Sequence, residues 1–75
     1  MPRFYFDIVD DEHAFFDDWG VELADVVEAS EQALSLLPDV AREALPIGER
    51  KDISVLVRSD AGRRCFTAAL QIRTE

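Results

Sequence analysis

Cysteine is almost absent from this 75-residue sequence. Cys65 stands alone, so no disulfide can form within the chain, and a reducing cytoplasm is the expected setting. Long apolar runs are missing too, and none approaches the roughly 20 residues that span a bilayer. The opening stretch, MPRFYFDIVDDE, has one base and turns acidic at once, so it reads as neither a secretory signal nor an Arg-rich transit peptide. Basic residues are scarce: eight Lys and Arg face sixteen Asp and Glu, for a net charge of −8. That excess repels phosphate backbones and anionic headgroups, which argues against nucleic acid and membrane as partners.

The motifs of chemistry are equally sparse. There is no Gly-rich phosphate loop, no Cys-x-x-Cys pair, no His-Glu-x-x-His and no Gly-x-Ser-x-Gly. His13 is the single histidine; with Asp10, Asp11 and Glu12 beside it and no nucleophile in view, it reads as an exposed turn residue. Cys65 falls in a strand pattern and reads as a small packing residue or an unreactive thiol. The acids at 10 to 12 and at 17 and 18 invite a divalent-cation site, but they lack the alternating ligands, central glycine and distal glutamate of an EF-hand loop. No catalytic residue, cofactor or metal ligand is assigned, and the chain is expected not to be an enzyme.

What the sequence does hold is enough apolar content, 48%, to offset chain entropy in one small domain spanning residues 1–75. Its charge is uneven. Residues 1 to 40 carry eleven acids and only Arg3, whereas residues 41 to 75 carry five acids and seven bases. The acidic half reads as a solubilising surface, with a docking face for a basic protein as the sharper alternative.

One stretch shows helical spacing, Asp25 to Leu45. On a wheel at 100° per residue its Val, Leu and Ala residues (26, 27, 29, 33, 34, 36, 37, 40, 41, 44 and 45) fill one half-circle, and polar residues fill the other. Asp25 at the N-cap with Glu28 three residues on makes an acidic capping box. Pro38 removes one hydrogen bond, but the apolar face continues in register across it, so one helix bent toward the sheet is expected. Pro46 and Gly48 end it.

Around the helix the chain alternates with the period of strands. Arg3 to Val9 places Phe4, Phe6 and Ile8 on one face and Tyr5, Asp7 and Val9 on the other. His13 to Asp17 runs back as a weaker strand, and Gly20 sits in a turn where it is free to take a positive φ. Lys51 to Arg58 and Arg64 to Arg73 form a hairpin whose SDAGR turn places Gly62 at a left-handed position followed by a bulge. The order β-β-α-β-β gives an α+β two-layer sandwich, one antiparallel sheet packed against one helix. The first strand and one strand of the last hairpin are expected at its centre, with the second strand on an edge. Phe4, Phe6, Ile8, Val55, Phe66, Leu70 and Ile72 are its expected core.

MPRFYFDIVDDE, DDWGVEL before an Ala-rich helix ending REALP, and KDISVLVRSDAGR together resemble a domain-of-unknown-function family of short bacterial proteins common in rhizobia and their relatives. The resemblance rests on structural residues, notably the opening Pro-Arg-aromatic strand, Gly20 and the Asp-Ala-Gly turn at 60 to 62; Pro38 departs from it. It implies the fold and supplies no activity, cofactor or site residue.

A single helix covers one face of a four-stranded sheet. The other face carries Tyr5, Val9, Leu56, Thr67 and Ala69, an expected interface. The expected function is a non-enzymatic protein-interaction module, its partner another protein or a second copy in a homodimer packed through that face or an edge strand. The alternative is a small-molecule- or metal-binding domain, or a small enzyme, with its site near the acidic N-terminal turns and Trp19.

Overall fold

The computed structural model describes residues 1–11, 13–43 and 51–73. Six elements follow in order: β1 (Arg3–Asp10), β2 (Ala14–Phe15), β3 (Val21–Glu22), α1 (Val26–Glu43), β4 (Lys51–Ser59) and β5 (Arg64–Ile72). The expected α+β sandwich is present, with one strand more than the sequence suggested. All strands are antiparallel, in the order β2-β1-β4-β5, and β3 also pairs with β1. β1 and β4 hold the centre and the short β2 lies on an edge, as expected.

The alternation of β1 sets its two faces. Phe4 and Phe6 are buried with Ile53, Val55 and Val57 of β4, Ala68 of β5 and Leu23. The register places Phe6 opposite Val57 and Ile8 opposite Val55, so apolar side chains of both central strands fall on one face. Ile8, Phe66, Leu70 and Ile72, expected as core, are only partly buried at its margin.

The helix is narrower in its contact than its half-circle of apolar residues implied. Ala29, Ala33 and Leu37 are buried, with Leu36, Val40 and Ala41 packed beside them. Val26, Val27 and Leu34 are exposed at 42, 62 and 55%. The physical reason is placement: α1 packs on β4 and β5, and the small Ala29 and Ala33 at its closest line leave the flanks in water. α1 runs without a break through the exposed Pro38, which settles one helix over two. Ala44, Leu45, Pro46 and Gly48 lie outside the described residues.

The Asp25 half of the capping box forms as read, and the Glu28 return bond goes to Ala24, one residue before the N-cap. The amide of Glu28 donates to Asp25 Oδ1 at 3.0 Å, and Glu28 Oε2 accepts from the amide of Ala24 at 3.4 Å. Asp25→Ala should therefore lower stability by about 1 kcal/mol, read as a lower urea midpoint at unchanged slope. At the other end of the fold, Gly62 (φ 79°) follows a tight turn in which its amide donates to the Ser59 carbonyl and the Ser59 amide to the Arg63 carbonyl.

Candidate functional site

The outer edge of β1 is where the chain departs most from regular structure. β2 pairs there through Ile8 with Phe15 and Val9 with Ala14, and β3 through Arg3 with Glu22 and Phe4 with Val21. Residues 16–20 bulge between them. The gap they leave in the ladder is filled by a side chain: the Phe6 amide donates to Asp17 Oδ2 at 3.1 Å. Asp17 Oδ1 in turn accepts from the amides of Trp19 and Gly20 at 3.0 and 3.2 Å. One carboxylate thus pairs a strand amide and shapes the following turn.

Asp17 is itself tied to a half-buried ion pair on the face opposite the helix. Its amide donates to Asp7 Oδ1 at 2.9 Å. Arg58 grips Asp7 with a fork, Nε to Oδ2 at 2.8 Å and Nη2 to Oδ1 at 3.3 Å, and its Nη2 also donates to the Asp17 carbonyl at 2.6 Å. The guanidinium lies 4.7 Å from the centroid of the Tyr5 ring, a cross-strand cation–π contact, since Tyr5 and Arg58 are register partners. Asp7 is 6% exposed and the only buried charged residue among those described.

The electrostatics follow from these contacts. Burial raises the Asp17 carboxyl, but the amides of Phe6, Trp19 and Gly20 and the nearby Arg58 charge outweigh it and hold the group below its ordinary value. The hydrogen bond to Asp7 holds the Arg58 guanidinium above its own. Because Asp17 is more acidic folded than unfolded, its contribution to stability is present above the ordinary carboxylate pKa and is lost as pH falls below about 4.

Gly20 closes the bulge. Its φ is 73°, and a Cβ there would lie 2.8 Å from Arg3 Cγ, 2.9 Å from the Phe4 carbonyl oxygen and 2.9 Å from Tyr5 Cε2. Arg3 Nη1 donates to the Trp19 carbonyl at 2.8 Å. The outcome is a fixed backbone carrying apolar side chains outward: Phe15, Phe16 and Trp19 are 63, 64 and 85% exposed.

Of the residues expected to form an interface, Tyr5, Val9 and Leu56 are half-buried, and Thr67 and Ala69 are exposed. Asp7 and Arg58 lie among them, so polar groups interrupt that face. His13 is exposed at the β1–β2 turn, where its amide donates to Asp10 Oδ1 at 2.7 Å. Cys65 is exposed and so is not a packing residue, because it is the extra residue of the bulge between the Val57–Phe66 and Arg58–Arg64 pairs. Of the acids of the two turns, Asp17 serves Phe6, Trp19 and Gly20, while Asp11 Oδ2 accepts from the Asp52 amide at 3.3 Å; Glu12 lies outside the described residues. Among the described residues no group of three or more His, Cys, Asp and Glu side chains is placed to hold a metal ion, and no helix is long and apolar enough to cross a membrane.

Residues 3–71 match the family described as a domain of unknown function, DUF6894. The chain belongs to that family. The match takes in the helix and every strand but for the last residue of β5, and the resemblance read from the opening strand and the Asp-Ala-Gly turn is to a domain-of-unknown-function family. No curated protein and no solved structure matches the chain.

The sequence reading points to Trp19 and the acidic turns but not to Phe15 and Phe16, which its strand pattern absorbs. A signal was there: three of five residues from Phe15 to Trp19 are aromatic, inside a stretch from 10 to 22 with six acids and no Lys or Arg.

Proposed function

We propose that this protein is a non-enzymatic, cytoplasmic interaction module that docks a cationic segment of another protein on the edge formed by Phe15, Phe16 and Trp19. The observation that carries this reading is three aromatic side chains, each more than 60% exposed, on a backbone pinned by Asp17. Large aromatic groups held in water on an ordered scaffold are the anchors that protein interfaces use. The surrounding charge selects the partner. Asp10, Asp11, Asp18 and Glu22 flank the aromatics, so a segment bearing Lys or Arg with interspersed apolar residues complements both features. The lone Cys65 supports a reducing compartment.

Trp19 is the only tryptophan, which makes it a reporter of docking. A peptide of alternating lysine and leucine should shift its fluorescence to the blue and bind more weakly as salt rises, while a glutamate–leucine peptide should do neither. Phe15→Ala with Phe16→Ala should weaken binding at least tenfold without loss of the folded circular-dichroism spectrum, since both side chains are largely in water. No spectral response to the lysine peptide at low salt would overturn the reading.

A further inference from the structure

We propose that two copies of the chain join along β5, edge to edge, into one continuous antiparallel sheet. The proposal is independent of the aromatic edge and uses the opposite border of the sheet. β5 is the terminal strand, nine residues long, and among the described residues nothing pairs with its outer side. Such an edge offers a row of backbone donors and acceptors to any matching strand. Soluble proteins blunt an open edge with charge, proline or brevity; β5 has none of these between its ends, since residues 65 to 72, CFTAALQI, contain no charged residue and no proline.

The strand's own residues select a second copy as the occupant, because 65 to 72 can pair with themselves without setting one charge against another, which the acidic border cannot. The other border of the sheet is covered by β2 and β3 and carries the acids of residues 10 to 22, so two copies meeting there would bring like charges together. Joined through β5, the two β1 strands lie five strand spacings apart, about 24 Å. That is several times the screening length of about 8 Å at physiological salt. A two-fold axis normal to the sheet keeps both helices on one face and requires residues of the same face to stand opposite one another. The register using all of β5 is centred on Ala68. It places Phe66 opposite Leu70 of the second copy on the helix face and Thr67 opposite Ala69 on the open face. Phe66, Leu70 and Ile72 are partly buried against the core, and the second copy extends that cover. Arg63 and Arg73 approach each other at both ends, so added salt should strengthen this pairing, opposite in sign to its effect on a cationic peptide.

Sedimentation equilibrium from about 10 μM to about 1 mM tests it. The native chain should move from its mass of 8.5 kDa toward twice that value, more readily at higher salt. Thr67→Glu with Ala69→Glu sets carboxylates against carboxylates in that register and should hold the chain monomeric. Thr67→Lys with Ala69→Glu makes complementary pairs and should restore the dimer; failure to do so overturns the register centred on Ala68. A native chain monomeric throughout overturns the proposal, as does a folded double-glutamate variant that dimerises unchanged. Should that variant not fold, amide exchange in the native chain decides. Outward-facing β5 amides that gain protection with concentration support the edge, and amides equally fast at both ends of the range refute it.

Discussion

Arg58→Met should lower the melting temperature by roughly 10 to 20 °C, a very large change for a domain of this size. The loss comes less from the arginine than from what it leaves behind. Asp7 lies under residues 16–20 with its carboxylate gripped by the guanidinium fork, and without Arg58 it retains only the Asp17 amide among the partners described for it. A buried charge stripped of its counter-ion is among the costliest defects a small protein can carry. The same change frees the Asp17 carbonyl and uncovers the Tyr5 ring. Thermal denaturation of a double-mutant cycle isolates the cause: Asp7→Asn with Arg58→Met should be more stable than Arg58→Met alone, because the stranded charge is gone. Equal stability of the two would show that Arg58 acts through packing on Tyr5 instead.

Gly20→Ala should cost about 2 to 4 kcal/mol, against about 1 kcal/mol for Gly62→Ala, as measured by urea unfolding. Both glycines hold a positive φ, so both substitutions strain the backbone similarly. They differ in surroundings. Around Gly62 nothing lies within 4 Å of the added carbon, whereas at Gly20 it overlaps the Phe4 carbonyl, which cannot retreat without disturbing β1. Net stability near 5 kcal/mol is normal for a chain this short, so the Gly20 change consumes a large part of it. Similar midpoints for the two variants would refute the close approach at Gly20.

How far the fold could be read in advance depended on the range of the signal. Gly20, Gly62 and the Asp25–Glu28 cap were legible because their chemistry is complete within five residues. The faces of β1, β4 and β5 were legible because alternation persists over eight or nine. β3 escaped because two residues, Val21 and Glu22, show no period, and their pairing with Phe4 and Arg3 is visible only once residues 16–20 fold outward. The burial of Asp7 escaped for a related reason. Its partner is 51 positions away, and alternation alone placed it on an open face. Val26, Val27 and Leu34 misled because a wheel reports which residues are apolar, not how wide a surface the helix meets. The candidate edge at Phe15, Phe16 and Trp19 depends on Asp17 standing in for a strand backbone, which no residue pattern announces.

The seam between β1 and β4 has a kinetic consequence. The chain divides into two units that can each form from neighbours in sequence: β1 with β2 and β3 before the helix, and the β4–β5 hairpin after it. The seven residue pairs from Phe4–Ser59 to Asp10–Ile53 are what join them, and each spans more than 40 positions. Closing so long a loop is entropically costly until many of those pairs form together. Assembly of this small protein is therefore governed by the meeting of its two halves, and the Asp7–Arg58 pair is one of the contacts that meeting must complete.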